Sequence, residues 1–322
     1  LEDHFQHRPR SLAPAVDAAE RRAEMPPAES LGGGGGSGHP VIVLDSGGGY
    51  VRVGLATAAG PAATEPNCTA VAKGQSGRSP AVGAETLELP ACALYRPMRR
   101  GLLLDPEQQR RVWDAVLRKR LSLETRECGL VATEAPLAPQ SVRRETEEAL
   151  FESFGFREVC ILSAPPLALH SPGLRRQLDQ GNPCCTVLSL GFSACVAVPC
   201  VDGQAIDHAV RRLNVGGRAL TNLLVERLGL RHFDLSESWL VAEDILCKLG
   251  EVSPDFDADL RSRFERVERR TYVLPDFKKH HRGFVEEEPP AEPAQGTEPA
   301  KAGAAAAAEA QRVTLRAERV VV

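Results

Sequence analysis

VIVLDSGGGYVRVGL, residues 41–55, reads as an apolar strand, a glycine turn and a return strand. Val41–Leu44 is apolar at every position, which predicts a strand covered on both faces. Asp45 and Ser46 follow, then Gly47, Gly48 and Gly49, which allow a tight turn with positive φ at no steric cost. In the return, Val51, Val53 and Leu55 point one way and Tyr50, Arg52 and Gly54 the other. A turn of bare backbone can present successive N–H groups to a phosphate. A carboxylate at the strand end, Asp45, suits a metal ion or its waters. An ordinary glycine hairpin without a ligand gives the same local pattern.

The 322 residues carry a net charge of −4, without the basic surplus of a chain that grips nucleic acid or anionic membrane by bulk charge. No apolar run reaches the ~18 residues a spanning helix needs, and the opening residues do not show the charged-then-apolar order of a secretory leader. Nine cysteines, an odd number without disulfide-scaffold spacing, predict a reducing compartment, cytosol or nucleus. The start at Leu1 rather than Met predicts a fragment or an imperfect gene model.

Outward from the hairpin, residues 1–40 are expected to be disordered. Residues 57–96 read as a small, weakly packed excursion anchored by Leu87, Leu89 and Leu94. Asp105 as N-cap, Pro106 at the first helical position and Gln108 at the capping-box position open a helix through Leu121, with Val112, Trp113, Val116, Leu117 and Leu121 as its stripe. Strands are expected at Leu130–Thr133 and Val159–Leu162. The helix between them is expected to be capped by Ser141, to turn Val142, Ala149, Leu150 and Phe154 inward, and to stop at Gly155. Ser171–Asn182 reads as a polar link. Cys185–Leu190, Gly191 and Ser193–Cys200 then repeat the strand–glycine–strand pattern, which predicts duplicated α/β halves.

Gly216 and Gly217 open a helix with Leu220, Leu223, Leu224 and Leu228 on one face and Gly229 at its end. Such an N-terminus favours anions, and small residues there equally suit close packing on a strand. Ser236 is expected to cap a helix with Trp239, Ile245, Leu246 and Leu249 inward. Tyr272–Phe277 reads as a strand and Glu286–Ala310 as low complexity. Cys184, Cys185, Cys195 and Cys200 lack zinc spacing and read as buried strand cysteines. Lys278, Lys279, His280, His281 and Arg282 form a basic cluster that could touch DNA or an acidic histone-binding partner, but with acids following at Glu286–Glu288 they read as a solvated loop.

Taken together, LDSGGGYVRVG (44–54), Pro66-Asn67-Cys68, GLLLDPEQQRRVWD (101–114), TEAP (133–136), ALFESFGF (149–156), RRLNVGGRALTNLL (211–224), VSPDF (252–256) and YVLPDFKKHHRGF (272–284) resemble the actin superfamily, in its nuclear actin-related branch. The resemblance covers residues 41–284. It implies an α/β fold of duplicated ribonuclease-H-like domains around a nucleotide cleft, incomplete at the C-terminus. By it, 41–183 form the first actin-like domain with 61–96 as a small inserted subdomain. Residues 184–322 form part of the second, with 218–322 inserted and 286–311 disordered.

The resemblance also assigns site residues. Asp45, Gly47, Gly48, Gly49 and Arg52 fall on the first phosphate loop, Asp45 toward magnesium. Gly191 falls on the second loop, and Gly216, Gly217 and Arg218 on the nucleotide-side turn. ATP or ADP with magnesium is the implied cofactor. Phosphoryl transfer also needs anchored metal and a positioned water. Here Ser189 stands where the family has an aspartate, Ser163 falls at the water-positioning amide, and Leu246 and Cys247 fall on a Lys-Glu pair beside adenine.

No catalytic residue is therefore assigned. The resemblance implies a non-catalytic scaffold subunit of a nuclear ATP-dependent chromatin-remodelling complex that exchanges a variant histone, located in the nucleus and also the cytoplasm. Its partners are the complex's protein subunits, docking on 61–96 and 278–311. Histones or the nucleosome are reached indirectly, with no membrane and no direct nucleic-acid contact. An ATP-hydrolysing enzyme on the same superfold and a cytoskeletal actin relative are the alternatives.

Overall fold

The computed structural model describes residues 38–74, 79–121, 123–180, 184–231, 234–262, 269–278, 280–286, 311–315 and 320–321. The disorder expected at 1–40 and 286–311 falls almost wholly outside the described residues, as does Lys279 of the basic loop. By contact the chain divides into two units, a larger one with Ala93–Ala219 and the described residues up to Thr86, and a smaller one with Leu87–Cys92 and the described residues from Leu220 onward. Residues 184–219 thus gather with the first hairpin in the larger unit.

The larger unit is built on a five-stranded sheet of order β5-β4-β1-β2-β3. Its strands are β1 (Val41–Ser46), β2 (Tyr50–Leu55), β3 (Ala63–Pro66), β4 (Gly129–Glu134) and β5 (Glu158–Ser163). β1 pairs antiparallel with β2, Leu44 opposite Val53, and β3 adds to β2. β1, β4 and β5 are parallel, with Val43, Val131 and Cys160 in register. Parallel neighbours require a crossover, and α2 (Gln140–Glu148, continuing through Ser153) makes it between β4 and β5.

α1 (Pro106–Asp114, continuing through Arg120) starts as expected, with Asp105 Oδ1 accepting from the Gln108 N–H at 3.0 Å. The Gln108 side chain does not close a capping box, because its Oε1 accepts the Thr69 hydroxyl at 2.9 Å. All five residues of the expected stripe are buried, against Ile42, Leu44, Val51, Val53, Leu130 and Leu150. Each such side chain contributes about 1.5–3 kcal/mol by leaving water.

Several expectations need correction. β1 alternates, with Ile42 and Leu44 buried but Val41 and Val43 only partly so, because the α1 stripe packs on one face of the hairpin. Ser141 sits inside the first turn of α2, which starts at Gln140. Gly155 does stop the helix, at φ +63. The 171–182 link holds a helix, α3 (Pro172–Gln180). In the excursion after the hairpin Leu87, Leu89 and Leu94 are only half-buried, and Glu65, Pro66, Asn67, Cys68, Thr69, Ala70, Gly83 and Thr86 are the buried residues. Mostly small side chains carry the packing there.

The second sheet of the larger unit has β6 (Cys184–Leu190), β7 (Cys195–Val201), β8 (Gln204–Ala205) and β9 (Arg211–Leu213), with β6, β8 and β9 all pairing antiparallel to β7. Of its four strand cysteines only Cys200 is buried, and Cys184 is exposed. Leu188 and Leu190 on β6 point outward.

α4 (Gly217–Arg231) runs past Gly229 rather than ending there. Its buried positions are Thr221, Leu224 and Leu228, so the inward face is rotated and Leu223 is exposed. In the smaller unit α5 (Trp239–Leu249) and a sheet of order β11-β10-β12 enclose Leu228, Ile245, Leu249, Tyr272, Val313 and Leu315. The strands are β10 (Arg270–Val273), β11 (Phe284–Glu286) and β12 (Arg312–Leu315). β10 ends earlier than expected, and Asp234, not Ser236, caps the turn before α5, accepting the Ser236 N–H at 2.8 Å. Among the described residues no helix is long and apolar enough to cross a membrane.

Candidate functional site

The β1–β2 turn carries Gly47, Gly48 and Gly49, and none of the three has positive φ. Glycine is needed there for another reason. A Cβ on Gly48 would stand 2.1 Å from Ser193 Oγ, and one on Gly49 would stand 2.8 Å from the Phe192 ring. The tip of the first hairpin therefore lies against the tip of the second, both within the larger unit.

Asp45, at the end of β1, has both carboxylate oxygens engaged. Oδ1 accepts the Thr133 hydroxyl at 2.6 Å, and Oδ2 pairs with Arg52 Nη1 at 3.1 Å. The pair is half-exposed and worth at most ~1 kcal/mol. Gly47 N–H donates to Tyr50 O at 2.9 Å, and Gly47 O accepts from Asn67 Nδ2 at 2.8 Å. Gly49 O accepts from the Asn67 N–H at 2.8 Å and from Arg96 Nη1 at 3.1 Å, which reaches Gly48 O more loosely at 3.5 Å. The side chains of Asn67 and Arg96 thus meet this turn as donors facing its carbonyls. A phosphate cradle works the other way, with N–H groups facing an anion.

The β6–β7 turn is closed by the Gly191 N–H on Ala194 O at 3.0 Å. The start of α4 docks on it. Gly217 N–H donates to Gly191 O at 3.1 Å and Arg218 N–H to Phe192 O at 2.9 Å. A Cβ on Gly216 would lie 2.4 Å from Gly191 O, so only glycine permits this approach. Helix N-terminal amides that attract anions when open are here directed at the turn's own carbonyls. Arg218 presents its side chain to solvent.

Between the two tips, the Arg96 guanidinium stacks 4.5 Å over the Phe192 ring centroid. The structure thus brings together Asp45, Gly47, Gly48, Gly49, Arg52, Gly191, Gly216 and Gly217, and adds Asn67, Arg96, Thr133, Phe192 and Ser193. Asn67 and Thr133 lay within the sequence motifs quoted above. Arg96 carries no local signal, since it reaches the turn only through tertiary packing.

The actin family's sequence profile matches residues 36–311. The chain belongs to the actin family. Among its relatives, the actin-related protein 6 of Oryza sativa subsp. indica is 34% identical over 260 residues, 79% of this chain and 60% of the relative. Those of Arabidopsis thaliana and Drosophila melanogaster are each 33% identical, covering 77% and 76% of this chain and 61% and 64% of their own lengths. The chain therefore spans less than two thirds of the relatives it matches.

The actin fold is one that generally holds nucleotide with magnesium, and the residues present can be tested against that group. Asp45 remains, with Thr133 bonded to one oxygen and the Arg52 cation paired with the other. β6 offers the hydroxyl of Ser189 rather than a second carboxylate. Phe192 and Ser193 stand against Gly48 and Gly49, where phosphate oxygens would have to approach. In this arrangement the site does not fit a nucleotide's phosphates. No group of three or more His, Cys, Asp or Glu suited to a metal occurs among the described residues.

Proposed function

We propose that this actin relative is a non-catalytic scaffold subunit of a nuclear ATP-dependent chromatin-remodelling complex, of the kind that exchanges a variant histone into nucleosomes. The remodelling motor is then another chain, and this one acts through the protein surfaces it presents. The observation that carries the reading is the state of the two glycine turns. The carbonyls of Gly47, Gly48, Gly49, Gly191 and Phe192 are engaged by the chain itself, and the second turn follows Ser189 where phosphoryl transfer calls for a metal-anchoring carboxylate. The similarity to actin-related protein 6 from plants and fly supports the choice of branch. Protein subunits of the complex are the proposed partners and the nucleus, with some cytoplasmic pool, the proposed location.

Two measurements test this. Affinity purification of the tagged chain from nuclei should recover remodeller subunits, and a preparation with none of them defeats the assignment. Phosphate release from Mg-ATP by the purified chain should stay at background, and turnover above that of an Asp45→Ala variant would restore the enzymatic alternative.

A further inference from the structure

We propose that Arg96 and Phe192 form a built-in occupant of the space between the two glycine turns, so that the hairpins are held together by the chain's own side chains in place of a ligand. This rests on the non-catalytic reading of the site but not on the nuclear partners.

A ligand bridging two glycine turns must supply a charge, a set of hydrogen bonds and a shape that fills the gap. The Arg96–Phe192 pair supplies all three, with reversed polarity. The guanidinium brings a fixed positive charge where a phosphate would bring negative charge, and the first turn meets it with carbonyl oxygen, Gly49 O at 3.1 Å and Gly48 O at 3.5 Å. A planar guanidinium donates along its edge while stacking by its face. Its Cζ lies over the Phe192 ring, 4.5 Å from the centroid, within the range of a cation–π contact. The ring in turn lies on Gly49, with three of its side-chain atoms no more than 3.0 Å from where a Cβ would be.

Phe192 is fixed from behind. Its carbonyl accepts from the Arg218 N–H at 2.9 Å, so the turn that carries the ring is tied to the first residues of α4. Arg212 on β9 adds a separate tie inside the same unit by donating to the carbonyl of Arg100. The arrangement therefore runs from α4 through the β6–β7 turn and the Phe192–Arg96 stack to the β1–β2 turn. A phosphate can take its place only by displacing the ring that lies on Gly49.

The test uses the whole chain and two readouts. Hydrogen exchange by mass spectrometry should show the 46–50 and 190–196 segments protected without nucleotide and unchanged by millimolar Mg-ATP or Mg-ADP. Exchange that is fast in the free chain and slowed by either nucleotide overturns the proposal, while leaving the scaffold reading intact if no phosphate is released. Thermal unfolding then examines the pair itself. Arg96→Ala and Phe192→Ala should each lower Tm, and the double variant should lower it no further than the worse single, because the two side chains act as a unit. Additive losses would show that they do not. If either alanine variant fails to fold, Arg96→Lys keeps the charge but loses the planar fork, and it should still speed exchange at 46–50. Unchanged exchange in that variant also overturns the proposal. Loss of the nuclear partners in purification would sink the proposed function without touching this result.

Discussion

At the scale of single residues, the glycines of the two turns separate by what stands opposite each missing Cβ. Opposite Gly216 stand the backbone oxygens of Gly191 and Phe192, at 2.4 and 2.7 Å, which cannot step aside. Opposite Gly49 stand three atoms of Phe192, including its own Cβ. Opposite Gly48 the nearest atom is the Ser193 hydroxyl oxygen, which χ1 rotation can move. Stability in urea should therefore fall most for Gly216→Ala, less for Gly49→Ala and least for Gly48→Ala, in the range of about 1–3 kcal/mol expected for overpacking. Gly229 lies within α4 with nothing inside 4 Å of its absent Cβ. Gly229→Ala should raise stability by about 0.5–1 kcal/mol, since the helix then loses less backbone entropy.

The cysteines divide in the same residue-by-residue way. Cys160 and Cys184 are exposed, whereas Cys68, Cys128 and Cys200 are buried. Burial also pushes the Cys128 and Cys200 thiols up, which lowers their thiolate fraction. Iodoacetamide at neutral pH should mark Cys160 and Cys184 first, and early labelling of Cys200 would contradict the packing of the second sheet.

At the scale of elements, α5 is tied to β10 and the loop before β11 by one cluster. Tyr272 hydroxyl donates to Asp244, Lys248 Nζ lies 2.9 Å from Asp244 Oδ2, and the same ammonium donates to Gly283 O at 2.7 Å. Burial and the Asp244 carboxylate both push the Tyr272 phenol well above its usual range. On the same helix, burial with Glu243 and Asp244 nearby pushes the Cys247 thiol up to about 11 from 9.0, Lys248 opposing. The folded value is the higher one, so stability from this group is complete below 9.0. As pH rises toward about 11 the unfolded chain sheds its proton while the folded chain keeps it, and stability falls. One proton contributes at most about 1.4 kcal/mol per pH unit. Cys247→Ala should flatten the alkaline limb of a stability–pH profile by up to that amount, and an identical limb would remove Cys247 as its source.

The elements also show where sequence patterns suffice. The Asp105-Pro106 start and the 112–121 stripe were legible because capping and 3.6-residue periodicity act within one helix. The inward face of α4 was not. Four leucines compete for it, and the sheet and helix of the smaller unit select Leu224 and Leu228 over Leu223. β1 misled for a related reason, since an all-apolar run does not say how many of its faces will be covered.

At the scale of the whole molecule, the two contact units carry separate apolar clusters and one tryptophan each. Trp113 is buried in the larger unit's core, and Trp239 opens α5 in the smaller, its indole N–H on Asn222 at 2.7 Å. The chain has only these two tryptophans. Trp113→Phe and Trp239→Phe therefore give single-probe reporters, and their urea transitions should have different midpoints, because separate cores need not melt together. Coincident midpoints would show that the units unfold as one.

The amino-acid sequence by itself determined the α/β order, the paired strand–glycine–strand hairpins and the family, because these rest on local pattern and on motifs that need no partner to be read. Through the family resemblance it also implied a serine, Ser189, at a position where the family has an aspartate. Only the tertiary structure decided what the glycines are for. Their role depends on Phe192, Ser193, Arg96 and Asn67 arriving from other parts of the chain, and a contact between residues so far apart in sequence exists only once the packing of strands and helices has brought them within a few ångströms.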